Sequence, residues 1–132
     1  MKLRTVIYSL LLATLCMGCD GRLSMHELEH LEARMNELPD SVLAVLTAAD
    51  MPRCGERRAL YALLTVQAQD KSYVDVADDS LISVATHYYA TSHDARHKML
   101  AYYYRARVQY NMGSYAQSIV SASRAEEAAI AV

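Results

Sequence analysis

The sequence predicts an all-α fold, an array of about three antiparallel helical hairpins, on three observations. Apolar residues recur at spacings of three and four along almost every segment, and the alternation of a half-buried strand is absent. The breaks between those segments are short and carry Pro, Gly or polar residues. Shifting the chain against itself by 42 residues lays Ala59, Tyr61, Val66, Gln67, Ser72 and Tyr73 on Ala101, Tyr103, Val108, Gln109, Ser114 and Tyr115. Repeated hairpins stack side by side because one hairpin cannot bury its apolar face alone.

The chain opens with Lys2 and Arg4, continues through the apolar run Val6 to Leu15, and reaches Gly18-Cys19. The run is short for a bilayer span, and a small residue precedes the cysteine. This is the layout of a bacterial lipoprotein signal, cut before Cys19 so that the Cys19 thiol carries lipid. Cys16 is the poorer acceptor because Leu15 before it is too large for a cleavage site, although Cys16 stands where such signals usually have Leu. An ordinary secretory signal or an uncleaved anchor are the alternatives, and all three export the chain. The expected plan is a signal at 1–18, a lipid-anchored linker at 19–23 and a helical domain at 24–132.

Ser24 caps a first helix that runs to about Leu38, with Glu27 completing a capping box. Pro39-Asp40-Ser41 breaks it and starts a second helix, whose Val42, Leu43, Val45 and Leu46 form an apolar face ending near Asp50. After the break Met51 to Gly55, a third helix fits Glu56 to Asp70 with Leu60, Leu63, Leu64 and Val66 buried. A fourth fits Asp79 to Tyr89, capped by Asp78 or Asp79. The polar link Thr91 to Asp94 leads to a long fifth helix, Ala95 to Met112, which Gly113 ends in the left-handed conformation. A sixth runs from about Tyr115 to Ala129.

Without residues 1–18 the chain has 11 basic and 15 acidic residues, a net charge of −4 with neutral histidines. An acidic chain with no Lys/Arg cluster has no electrostatic reason to bind nucleic acid. The charge is uneven, however. Asp20 to Asp50 holds seven acids against Arg22 and Arg34, whereas Ala95 to Arg124 holds Arg96, Lys98, Arg105, Arg107 and Arg124 and no acid. Cys54 is the one thiol left beyond Cys19, in a Pro- and Gly-containing connection, so there is no disulfide framework and no nucleophile is assigned.

His26-Glu27-Leu28-Glu29-His30 spells HExxH, which places two histidines on one helical face with a glutamate between them. It is read as a solvated acidic face, because no third ligand follows at a familiar spacing and the motif lies only seven residues past Cys19. The competing reading is a small metal-dependent hydrolase using His26, Glu27 and His30. His93 and His97 repeat the spacing and are read as exposed residues at a helix start, and His87 as partly packed.

The run Tyr102-Tyr103-Tyr104-Arg105-Ala106, followed by Met112-Gly113-Ser114-Tyr115 and then Ser118, Ala122 and Ala125, resembles a tetratricopeptide repeat. Ala106 and Gly113 match its small residue and turn glycine, and Ser118, Ala122 and Ala125 its small second-helix positions. Gln109 replaces the usual tyrosine, and Leu64 stands where the preceding hairpin should have a small residue. With the lipoprotein signal and the phrase PDSVLAVL, the chain is similar to tetratricopeptide lipoproteins common in Bacteroidota. The resemblance implies a right-handed solenoid whose first helices line a concave groove, a location in the cell envelope on the outer membrane, and no catalysis or cofactor. It places Tyr103, Arg107, Tyr110 and Asn111 on that groove, and the 42-residue shift adds Tyr61, Thr65 and Gln69, with Arg58. Tyrosine area and arginine forks suit a protein or peptide partner, an acidic or carboxyl-ended segment in particular. The apolar end Ala128 to Val132 adds the expectation of self-association where a terminal helix is normally polar. A truncated sensor or regulator is a third reading.

Overall fold

The computed structural model describes residues 21–132, so the expected signal at 1–18 and the expected lipid attachment at Cys19 lie outside the described residues. Six helices follow one another: α1 (Met25–Arg34), α2 (Pro39–Ala48), α3 (Gly55–Lys71), α4 (Ser80–Tyr89), α5 (Ala95–Asn111) and α6 (Tyr115–Ala129). Among the described residues there is no strand; one isolated bridge joins Arg22 to Asp50. None of these helices is long and apolar enough to cross a membrane.

The local signals act as their chemistry requires. The Ser24 hydroxyl accepts from the Glu27 amide while Glu27 reaches back to Ser24, and Pro39 opens α2 at a position that needs no amide donor. The first helix is shorter than expected, ending at Arg34, because the carbonyls of Glu32 and Arg34 accept from Met35, Glu37 and Leu38 in a turn. Asp79 is the N-cap residue of α4 but makes no side-chain cap bond, and the carboxylate of Asp78 before it accepts from the Ser80 amide at 2.8 Å.

Consecutive helices pack as neighbours, and α1 also packs on α3 and α3 on α5. The consequence is that α3 is enclosed by four helices, and every residue from Ala59 to Ala68 is buried. Its two apolar sides serve two clusters. Leu60, Tyr61, Leu64 and Ala68 meet Leu28, Met35, Val42 and Leu46 of the first hairpin region. Ala59, Ala62, Leu63 and Val66 meet Ile82, Ala85 and Tyr89 of α4 and Ala101, Tyr104 and Val108 of α5. Each fully buried leucine contributes about 2 kcal/mol of transfer free energy, and α3 supplies Leu60, Leu63 and Leu64 at 0% exposure.

The last helix is held differently. It touches α5 alone, through Ser118, Ser121, Ala125 and Ala128. Ser118 donates to the Ala106 carbonyl and Ser121 to the Gln109 side-chain oxygen, both at 2.7 Å, which small residues permit by letting the backbones approach. Ala122, expected among the small contacts, is exposed, one position round the helix from Ser121.

At the amino-terminal end, the Gly21 carbonyl accepts from the Asp50 amide at 2.8 Å and Arg22 Nε donates to the Met51 carbonyl at 3.3 Å. Gly21 and Arg22 are therefore fastened to the α2–α3 connection. A Cβ on Gly21 would stand 2.8 Å from an Asp50 carboxylate oxygen, so a larger residue there would have to turn the Asp50 side chain aside.

Candidate functional site

The residues expected to share one groove divide between the core and the surface. Tyr61 is buried and donates its hydroxyl to the Leu46 carbonyl at 2.9 Å, tying α3 to α2. Thr65 is buried and donates to the Tyr61 carbonyl at 2.7 Å. Gln69 is half-buried, with its side-chain oxygen enclosed and unpaired. Arg58 is half-buried and donates to the Arg53 carbonyl at 3.1 Å. Tyr61 and Thr65 are therefore engaged inside the fold.

The reason is a matter of helical register. Gly55 and Ala95 open α3 and α5, and Tyr73 and Gly113 follow them in the left-handed conformation. Each pair is 40 residues apart. The closing bonds agree, since Val74 donates to Gln69 and Ser114 to Gln109, both at 2.9 Å. A shift of 42 is thus two residues out of the structural register, a rotation of about 200° around a helix. In the structural register Tyr61 corresponds to Ala101, both buried, and Tyr103 to Leu63.

On α5 the other four predicted residues do form one exposed stripe. Tyr103 is 47% exposed and Tyr110 63%. Arg107 between them donates from Nε to Asp70 of α3 at 2.7 Å, and Asn111 donates to the Val76 carbonyl at 3.1 Å. The Asp70 carboxylate raises the Arg107 guanidinium's hold on its proton, so this arginine clamps α5 to α3. Tyr103 lies edge-on to Tyr104, whose ring is buried and whose hydroxyl is pushed up to about 12 by burial, then by Asp70. Tyr110 lies edge-on to Tyr115, 5.3 Å between centroids, which carries the aromatic surface from α5 onto α6. Tyr115 and Ile119 continue it, at 58% and 68% exposure. Rings of this kind offer rigid area with a polar tip.

The HExxH residues are differently committed. His26 and His30 are exposed, and the Glu27 carboxylate accepts from the Ser24 amide at 2.7 Å and its hydroxyl at 2.8 Å. Those bonds, the backbone one foremost, lower the Glu27 pKa. The carboxylate that a hydrolase would use as base is the capping partner of Ser24. Among the described residues no three His, Cys, Asp or Glu side chains are gathered as a metal site. Cys54 is exposed and free.

Two histidines sit elsewhere than expected. His87 is exposed. His97 is enclosed instead, its side chain 14% exposed, with Nε2 at 2.9 Å from Glu32, Nδ1 against Asp94, and its ring stacked on Tyr89. The i+3 return to the capping Asp94 was readable in the sequence; the contact with Glu32, 65 residues away, was not.

The chain matches no family model, no curated protein and no solved structure.

Proposed function

We propose that the chain is a membrane-anchored, non-catalytic scaffold of repeated helical hairpins that binds a protein partner, tethered through lipid on Cys19 in the cell envelope. One observation carries the reading. Leu63 of α3 is fully buried in the cluster built with α4 and α5, while its register equivalent on α5, Tyr103, is 47% exposed. The surface that a following helix would cover is open on α5 and α6, and it holds Tyr103, Tyr110, Tyr115 and Ile119. Packing of α1 on α3 and of α3 on α5 supports the solenoid reading, in which each hairpin covers the one before it. The occupant proposed is a helix of the partner, which extends the array by one layer. Binding lies at the end of the array, not along a continuous concave groove, since the matching side of α3 is filled.

The test is a photocrosslinking amino acid placed at Tyr103, Tyr110 or, as control, the exposed Val45 of α2 in cells producing the full chain. The same protein should be crosslinked from positions 103 and 110 and not from 45. Tyr103→Ala with Tyr110→Ala should abolish its capture without changing helicity. Crosslinking equally from Val45, or from neither tyrosine position, rejects the reading.

A further inference from the structure

A second surface lies on the other side of α5. Helices α4 and α6 both pack on α5 and do not pack on each other, which leaves a channel of about 900 Å³ between them. Its floor is the Tyr102 and Arg105 stripe of α5, one wall is α4 with Val84, His87 and Tyr88, and Arg124 of α6 stands opposite. At the end formed by the start of α3, Arg53 and Arg58 complete the lining. The channel continues past Arg105 toward Gln109 and Gln117, and past Arg124 toward Lys98.

Four guanidinium groups therefore face one channel whose main body has no Asp or Glu in its lining, Glu127 joining only at the extension toward Lys98, in a chain of net negative charge. Their internal partners leave donors free. Arg58 donates one Nη1 bond to the Arg53 carbonyl. Arg105 donates weakly to the Thr86 hydroxyl at 3.4 Å and lies 3.8 Å from Asp79 at the rim, while its Nε is buried with no partner. Arg124 lies over the Tyr102 ring at 5.6 Å and donates to its hydroxyl at 3.4 Å. That stacking orients a planar fork, with most of its five donors unused. Like charges converging in a cleft focus potential there and are costly without a counter-charge.

We propose that this channel binds an acidic segment of a partner protein, its carboxylates taken by Arg105, Arg124, Arg53 and Arg58 and its apolar side chains by Val84 and Tyr102. Carboxylate is the counter-charge that guanidinium forks match in pairs, and the cleft has the size of a small-ligand or peptide site. A nucleic acid, charged along its whole length, would extend from the channel over a surface that is acidic overall. The site shares no residue with the tyrosine face, and the two stand or fall separately.

The experiment measures fluorescence anisotropy of a fluorescein-labelled peptide of alternating glutamate and leucine with the full chain in detergent micelles. Its glutamine counterpart, inorganic phosphate and a single-stranded oligonucleotide are the comparison probes. The glutamate peptide should bind, the glutamine peptide should not, and affinity should fall as salt rises. Arg105→Gln with Arg124→Gln should weaken binding by about tenfold or more, while Arg34→Gln on the exposed surface of α1 leaves it unchanged. Arg105→Lys keeps the charge and removes the fork, so it should give an intermediate loss if the double variant fails to fold. Protection of Arg105 and Arg124 from phenylglyoxal by the peptide reads the same site with no substitution. Equal binding of the glutamine peptide, tighter binding of phosphate or oligonucleotide, equal loss in Arg34→Gln, or no protection each overturns the proposal.

Discussion

His97 Nε2 stands 2.9 Å from Glu32 Oε1, joining the first turn of α5 to the last turns of α1 across 65 residues. Arg96 reaches the same oxygen at 2.6 Å, and Asp94 holds the other imidazole nitrogen. Helices α1 and α5 do not otherwise pack on each other, so this polar cluster is the link between the ends of the layer formed by α1, α3 and α5.

The cluster makes stability depend on pH. The Glu32 hydrogen bond, against the opposing effect of burial and with help from Asp94, raises the His97 pKa above its ordinary 6.5. Its stabilisation is complete below about pH 6.5 and is lost as pH rises through the higher folded value. Burial pushes Glu32 and Asp94 upward, but hydrogen bonds from His97, with Arg96 adding to them, outweigh it and lower both. Their contribution is present above the ordinary carboxylate range and is lost as pH falls through the lowered values. Thermal melts should therefore show the highest Tm between about pH 5 and 6.5, and His97→Gln should flatten the alkaline limb. A wild-type profile already flat from pH 6 to 9 rejects this account.

Tyr89 is fully buried beneath His97, and its hydroxyl has no hydrogen-bond partner. Burial, and then the nearby carboxylates, push its pKa far upward, so it stays neutral. An unpaired buried hydroxyl costs about 1–3 kcal/mol. Tyr89→Phe should therefore be neutral or stabilising by about 1 kcal/mol in urea unfolding. Tyr61→Phe should cost about 1 kcal/mol, because that hydroxyl ties α3 to α2.

The two left-handed positions give a paired test. Gly113 has φ +76 and Tyr73 has φ +59 at equivalent helix ends. A side chain in that region costs about 1–2 kcal/mol. Gly113→Ala should destabilise by about 1 kcal/mol, while Tyr73→Gly should cost nothing or stabilise slightly. Tyr73 is 95% exposed, so no packing is lost in that change. Equal losses at both sites would show that the turns are not equivalent.

At the start of α1, Ser24→Ala should cost about 1 kcal/mol by removing the cap. Glu27→Gln keeps a capping side chain and should cost less. Calorimetric titration with zinc should show no stoichiometric binding in either the native chain or His26→Ala. Tight zinc binding that Glu27→Gln does not abolish but His26→Ala does would restore the HExxH reading.

Much of the local structure was legible because it depends on residues close in sequence. The capping box at Ser24, proline at the start of α2 and glycine after α5 all act within one helical turn. The site was less legible. Identity at a shift of 42 aligns Tyr61 with Tyr103, yet capping places the helices 40 apart, and two residues turn a side chain to the other side of its helix. Leu64, which departs from the small residue of a tetratricopeptide repeat, fills the first-hairpin cluster at 0% exposure. The basic excess of the last third was visible as composition. Its convergence with Arg53 and Arg58 was not, because it is created by α4 and α6 standing apart over α5.

By itself the sequence determined the all-helical class and, among the described residues, the six helices and their breaks, since those follow from side-chain period and from hydrogen bonds within a turn. The tertiary structure alone decided how much of each helix beyond its apolar stripe is covered. That depends on how many neighbours a helix has: α3, enclosed by four, buries even Tyr61 and Thr65, whereas α6, with one, leaves Ile119 and Val120 exposed. Likewise Glu32 and His97 meet only because α3 brings α1 and α5 to its opposite flanks, a distance that no local pattern encodes.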